Sequence, residues 1–201
     1  MPRAYSTEEY LAGQKKPYTF WEQDFPGKLL LLPQLYVLCV GIDKSTSSMK
    51  FRKAVRKDVP VIVQLLASDP LGQLREDYRD PLPGRYYDAF EQINRDNNQE
   101  LIVVENENDE IIGTLQLSFI PYLTYQGGTR AQIEAVRIRE DVRGQGIGQQ
   151  LFEWAIRRAR ERHAHVLQLT TDKKRPDALR FYEKLGFTAS HEGMKFHFDQ
   201  E

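Results

Sequence analysis

The stretch from Gln132 to Arg162 constrains this chain more than any other. It opens with Gln132-Ile133-Glu134-Ala135-Val136-Arg137-Ile138, short and β-branched enough for a strand. A polar turn, Arg139-Glu140-Asp141-Val142, leads into Arg143-Gly144-Gln145-Gly146-Ile147-Gly148. From there Ile147, Leu151, Ala155 and Ala159 recur at the spacing of one helix face, and a helix is expected to run on to Arg162. A strand, a glycine loop and a helix start, in that order, make an anion site. The N–H groups of the first turn have no partner within the helix, and the helix dipole adds partial positive charge. The register rules out two common versions of such a site. A dinucleotide loop of the form Gly-x-Gly-x-x-Gly would need glycine where Gln149 stands, and a Walker loop would need Lys-Ser/Thr where Gln149 and Gln150 follow Gly148.

The chain has 201 residues, enough for one domain with a sizeable core, or one domain and an arm. A net charge of −1 gives no electrostatic case for nucleic acid or an anionic membrane. The single cysteine, Cys39, excludes an internal disulfide framework and fits a reducing cytoplasm. His163, His165, His191 and His197 show no zinc spacing, and no metal is expected. His163 and His165 are read as a solvated pair ahead of a strand.

Residues 1–48 differ from the rest, with unperiodic aromatics and then an apolar run over residues 29–40 broken by Pro33 and Gln34. That run is too short to span a bilayer and starts too far along for a signal peptide. Two readings stand: an extension without catalytic role, with Met49 as a candidate start, or a docking arm that covers the domain or a second subunit. The domain itself is placed at 49–201. Phe51–Arg56 reads as a strand. A helix is capped by Asp58, with Pro60 in its first turn and Val61, Leu65 and Leu66 inward. A loop over Ser68–Gly84 is followed by a short helix over Tyr86–Ile93 with Ala89, Phe90 and Ile93 on one side. Leu101–Val104 and Ile111–Phe119 form an antiparallel hairpin about Asn106-Glu107-Asn108-Asp109. After the long helix, Val166–Thr171 is a strand parallel to the one that precedes the glycines. Pro176 opens a helix that Gly186 ends, and Phe187–Ser190 with Met194–Phe198 form a closing hairpin.

Arg143-Gly144-Gln145-Gly146-Ile147-Gly148 resembles motif A of the GNAT superfamily of acyl-coenzyme A-dependent N-acetyltransferases, Gln/Arg-x-x-Gly-x-Gly/Ala. Ala178-Leu179-Arg180-Phe181-Tyr182-Glu183-Lys184-Leu185-Gly186-Phe187 resembles motif B of the same superfamily, at a fitting distance. The resemblance covers about residues 50–198. It implies an α/β fold (α+β mixed sheet): a central, mostly antiparallel sheet, about four flanking helices, and a splayed parallel strand pair at the cofactor site. It also implies acetyl-CoA as co-substrate, with its pyrophosphate on the N–H groups of Arg143, Gly144, Gln145, Gly146, Ile147 and Gly148. The pantetheine would lie along Val136-Arg137-Ile138, bonded to the backbone of Val136 and Ile138. Arg175 stands where many relatives carry an asparagine that touches the pantetheine; this departure leaves a phosphate contact or a solvated Lys173-Lys174-Arg175 run open.

Acetyl transfer needs a neutral amine, yet a lysine-like amine is neutral in only about one molecule in 2,500 at pH 7. Glu134, two residues before Val136, matches the position from which many relatives draw a base, directly or through water. Desolvation among Ile133, Ala135 and Val136 would strengthen it as a base, although pairing with Arg130 or Arg137 is the structural alternative. Tyr182 matches the family's tyrosine that protonates the departing thiolate; its alternative is simple packing. With no cysteine after residue 39, direct attack in a ternary complex is expected over an acetyl-enzyme. By resemblance the acceptor pocket draws on Arg75, Tyr78, Arg79, Tyr122, Tyr125 and Arg130, which suits an amine with an anionic or planar part. The expected activity is N-acetylation of a primary amine of a small molecule, by a monomer or homodimer. A protein lysine or N-terminal acetyltransferase and a non-catalytic acyl-CoA-binding module are the alternatives. Arg157, Arg158, Arg160 and Arg162 are read as a solvated helix face rather than a nucleic-acid surface.

Overall fold

The computed structural model describes residues 49–69 and 72–198, so the apolar run of residues 29–40 and both readings of residues 1–48 lie outside it. The elements are β1 (Lys50–Lys53), a 3-10 turn (Arg56–Asp58), α1 (Val59–Ala67), α2 (Gly84–Arg95), β2 (Gln99–Glu105) and β3 (Ile111–Pro121). They continue as β4 (Thr129–Ile138), a 3-10 turn (Glu140–Val142), α3 (Ile147–Glu161), β5 (Val166–Leu169) and α4 (Pro176–Lys184). The strands form a single sheet in the order β1-β2-β3-β4-β5. The first three pairings are antiparallel and β4–β5 is parallel, giving the mixed sheet expected.

Each sheet face has its own apolar layer. α3 buries Ile147, Leu151, Phe152, Ala155 and Ala159 with Leu117, Phe119, Ala131 and Ile133, the helix face read from the sequence. A buried side chain of Leu or Phe size stabilises by about 1.5–3 kcal/mol, so this layer dominates the fold. α1 and α2 cover a second cluster of Ala54, Val59, Ile62, Val63, Phe90 and Val103.

The β2–β3 turn shows why polar residues belong there. The Asn106 side-chain oxygen accepts the N–H groups of Asn108 (3.0 Å) and Glu110 (2.9 Å), while Asp109 takes φ 57°. α4 begins at Pro176 and ends where Gly186 adopts φ 89° and the Phe187 N–H donates to the Tyr182 carbonyl (3.1 Å).

Six expectations need correction. β1 stops at Lys53, because Asp58 accepts the N–H of Val55 (2.8 Å) and two N–H groups of Arg52, which turns the chain early. The carboxylate expected to cap α1 is therefore used behind the helix rather than on it. Val61 is 36% exposed while Ile62 and Val63 are buried; α1 is apolar nearly all round, so periodicity could not choose its inner face. Ala89 is exposed, and Tyr86 and Tyr87 pack inward beside Phe90.

The C-terminal hairpin does not form among the described residues: Met194, Phe196 and Phe198 are 95%, 83% and 83% exposed. A two-stranded hairpin without a face to bury is marginal. The α3 arginines also depart from a fully solvated face. Arg158 (2.7 and 2.8 Å) and Arg162 (3.0 Å) both bind Glu100, itself 1% exposed, and Arg162 lies over Phe119 at 4.3 Å.

Candidate active site

β4 and β5 pair only as far as Ile133 with Leu169, after which β4 runs on alone to Ile138 and a gap opens. A bulge shapes that free stretch. Gln116 pairs with Glu134 and Thr114 with Arg137, so Leu115 faces both Ala135 and Val136. Ala135 adopts φ 55°, and an extra residue of this kind re-aims the side chains that follow. Ile133 before the bulge and Val136 and Ile138 after it all pack toward the α3 layer. Glu134 and Arg137 therefore share the opposite face. Beyond the bulge, the Arg139 N–H donates to the Ile112 carbonyl (2.8 Å), and the alternation of an antiparallel ladder turns the peptide groups of Val136 and Ile138 into the gap. Both carbonyls carry arginine donors: Arg137 Nη1 on Val136 at 2.7 Å and Arg143 Nε on Ile138 at 3.1 Å.

The glycine loop closes one end of the gap. Gly144 and Gly146 both have φ 79°, and Gly146 is the N-cap of α3. A Cβ on either would meet nothing within 4 Å, so conformation rather than crowding calls for glycine, and the space above them is open. The Gln150 N–H to the Gly146 carbonyl (3.1 Å) is the first bond of the helix. Among the described residues, the N–H groups from Gly144 to Gln149 have no backbone acceptor. The Arg143 N–H already donates to the Glu140 carbonyl (3.2 Å), so the free set starts one residue later than the motif alone suggests.

Tyr182 on α4 is half-buried against Phe152 (5.4 Å between ring centres), Phe181 (5.6 Å) and Phe187 (6.2 Å). Burial pushes its phenol up, and the positive charges of Arg175 and Arg137 pull it only part of the way back. It stays protonated at neutral pH, able to donate a proton. Glu134 is exposed and accepts the Gln132 side-chain amide at 2.9 Å. The apolar surroundings expected for it lie on the other face of β4, and its neighbour is Gln132 rather than an arginine.

Arg137 instead pairs with Asp69 (3.0 Å), whose other oxygen accepts the Gly72 N–H at 2.5 Å. A Cβ on Gly72 would lie 1.9 Å from the Leu66 carbonyl oxygen, so this turn tolerates only glycine. Burial pulls the Arg137 guanidinium down, Asp69 opposes that, and Arg75 and Arg175 add to it. Arg175 itself is exposed at the N-cap of α4. Sequence reasoning missed Asp69 and Gly72, since nothing local links them to β4. It also missed Tyr86, whose hydroxyl accepts the Asp77 N–H (2.8 Å) and donates to Glu76 (3.1 Å), holding the loop after α1.

The expected acceptor residues fall into two groups. Tyr78 and Arg79 are exposed on the loop after α1. Tyr122, Tyr125 and Arg130 gather around His165 at the far, zipped end of the β4–β5 pair. The Tyr122 hydroxyl lies 2.5 Å from His165 Nε2, Tyr125 stacks on the imidazole at 4.7 Å, and Arg130 sits over Tyr122 at 5.0 Å. The other imidazole nitrogen, 2.9 Å from the Thr129 carbonyl, donates there, so Tyr122 donates to Nε2. Arg130 is four residues before Glu134, about 13 Å along a strand. This cluster is a separate feature and not a wall of the gap. Among the described residues no helix is long and apolar enough to cross a membrane.

The sequence pattern of the Acetyltransferase (GNAT) family matches residues 71–187. A curated relative, the aminoalkylphosphonate N-acetyltransferase of Salmonella typhimurium strain LT2, is 36% identical over 84 residues, covering 42% of this chain and 54% of the relative. The chain thus matches about half the length of that protein. Among solved structures, a protein described as a transcriptional regulator from Bacillus halodurans C-125 aligns with TM-score 0.72 at 58% identity, over 75% of this chain and 100% of the other. An acetyltransferase of Trypanosoma brucei aligns with TM-score 0.62 at 25% identity, over 75% and 100%.

Proposed function

Because the chain belongs to the acetyltransferase (GNAT) family, and so is an acyltransferase, we propose that it moves an acetyl group from acetyl-coenzyme A to a primary amine of a small molecule, by direct attack in a ternary complex. The observation that carries this reading is the join between the open edge of β4 and the unpartnered N–H groups ahead of α3. The N–H groups from Gly144 to Gln149 would hold the diphosphate, helped by the helix dipole, which is worth about 0.3–1 kcal/mol for one negative charge. The gap-facing peptide groups of Val136 and Ile138 would receive the pantetheine arm. When bound, the coenzyme supplies the activated thioester. Glu134, exposed at the edge of the gap, takes a proton from the acceptor ammonium directly or through a water. Tyr182 gives its phenolic proton to the departing thiolate.

We assign this activity to residues 49–201 and place it in a reducing cytoplasm, in keeping with the lone Cys39. The aminoalkylphosphonates named for the Salmonella relative are the first acceptors to try. The Bacillus relative's description as a transcriptional regulator raises DNA binding, but Arg158 and Arg162, two of the arginines such a surface would use, are already bound to Glu100. The test is calorimetry with acetyl-CoA, followed by coenzyme A release with a panel of amines. Saturable binding and amine-dependent release support the reading. Absence of binding removes it, and binding without release from any amine leaves an acyl-CoA-binding module.

A further inference from the structure

Arg137 is built in a way the transfer step described above does not use. Its guanidinium is held from two sides, by Asp69 through Nη2 (3.0 Å) and by the Val136 carbonyl through Nη1 (2.7 Å). Asp69 is held in turn by the Gly72 N–H (2.5 Å), so the cation has a fixed place and does not swing into water. Its Nε is buried and makes no hydrogen bond. An unsatisfied buried donor is rare enough in native proteins to call for an explanation, and a planar guanidinium with a free edge fits an oxyanion. The Thr171 hydroxyl, two residues beyond the end of β5, is likewise buried without a partner. Two other atoms are orphaned among the described residues, and each has an explanation nearby. Glu105 Oε2 lies 3.2 Å from the Lys50 ammonium, and the Arg130 guanidinium lies over Tyr122.

The charges around Arg137 point the same way. Arg75 and Arg175 add positive charge near Arg137, and Asp69 and Glu76 oppose it. Glu134 stands three residues away on the same strand face, at most about 10 Å and less across a bulge. A carboxylate suited to an ammonium and a guanidinium suited to an anion are thus a short molecule's length apart.

We propose that the free edge of Arg137, held in place by Asp69, receives an anionic group of the acceptor, so that the preferred substrate is an amine bearing a phosphonate, phosphate or carboxylate a few bonds from its nitrogen. This rests on the transferase reading above and narrows its substrate. Arg137 then sets specificity, while Glu134 and Tyr182 handle protons.

The test compares 2-aminoethylphosphonate with propylamine, a neutral-ended amine of similar length, in acetyl-CoA turnover. Wild type should favour the phosphonate by about tenfold or more in kcat/KM, as a charge-assisted bidentate contact would give. Arg137→Gln should lower the preference for the phosphonate over propylamine about tenfold in kcat/KM, chiefly by raising KM for the phosphonate. Arg137→Lys should recover part of the loss. Equal losses for both amines, or weakened acetyl-CoA binding, would overturn the proposal. If wild type acetylates neither these two amines nor any other of the panel, the transferase reading fails on its own. The subsite is then judged by calorimetry of 2-aminoethylphosphonate with protein saturated in coenzyme A. Binding abolished by Arg137→Gln supports it, and binding absent or unchanged by the substitution refutes it.

Discussion

Glu100 and Asp69 each hold an arginine brought from far along the chain, and the two arrangements end differently. Glu100 is 1% exposed and accepts three guanidinium contacts from Arg158 and Arg162; Arg158 also reaches Glu161 and Arg162 the Asn97 carbonyl. Asp69 holds Arg137 by one contact and leaves a buried N–H with nothing to bind. The first assembly is complete and ties α3 to β2. The second is incomplete and sits beside a gap. Charge pairs that finish their own hydrogen bonding serve the fold, while one that leaves a donor over suits a guest.

If that division is right, variants on the two sides should separate stability from turnover. The largest effect is expected at the gap. Tyr182→Phe keeps the ring and loses the proton donor, so turnover should fall by about 10²-fold or more while acetyl-CoA affinity and the unfolding midpoint hold. Steady-state rates and calorimetry read this, and wild-type turnover would assign Tyr182 to packing alone. Next comes Glu100→Gln, which strips the charge from the complete assembly. Urea unfolding should show a loss of about 3 kcal/mol, the low end for breaking a buried ion pair because both guanidiniums still reach water. The kcat of the folded variant should not change, and a loss of activity without a loss of stability would erase the contrast.

The pH dependence sharpens the same comparison. Burial alone would push the Glu100 carboxyl up, but Arg158, with the charges of Lys53 and Arg162, outweighs it and holds the group low. A carboxyl held low in the fold stabilises it above the ordinary value of about 4.3, and the gain is lost as pH falls through the folded value. Asp58 and Glu105 are also held low, the first by Arg52 against its burial, the second mainly by the Arg52 hydrogen bond. Unfolding free energy should therefore decline with acid from about pH 4 downward, and Glu100→Gln should flatten the slope. A slope identical to wild type would show that Glu100 carries none of it. The smallest effect on stability is expected from Asp69→Asn, about 1 kcal/mol, since asparagine keeps a side-chain oxygen for the Gly72 N–H and loses only the charge on the Arg137 contact. KM for an anionic amine should nonetheless rise, because Arg137 loses its anchor; an unchanged KM would separate Asp69 from the site.

Short-range features were legible in the sequence, and long-range ones were not. The inner face of α3, the glycine turn ahead of it and the β2–β3 hairpin follow from spacing and turn chemistry acting over a few residues, and all three are present. Tyr182 packs among Phe152, Phe181 and Phe187, and Glu134 is exposed on β4 rather than set among apolar side chains. Alternation alone sets Ile133 and Ala135 on the other face from Glu134, and the left-handed Ala135, which leaves no mark on the sequence, sends Val136 there as well. The Arg137–Asp69 pair joins residues 68 apart and becomes visible only once α1 and β4 meet. The gathering of Tyr122, Tyr125 and Arg130 around His165 is likewise a long-range arrangement that no local pattern announces.

The extra residue at Ala135 acts as a phase shifter. Flattening the bulge with Ala135 kept in the strand would invert everything downstream: Val136 and Ile138 would turn to water and Arg137 into the hydrocarbon layer beneath α3, whereas deleting Ala135 would leave each on its present face. The left-handed turn at Ala135, and not the number of residues alone, thus keeps position 137 on the face where Asp69 waits. A lineage could retune which amines it accepts by one substitution there, leaving the carrier-binding turn untouched.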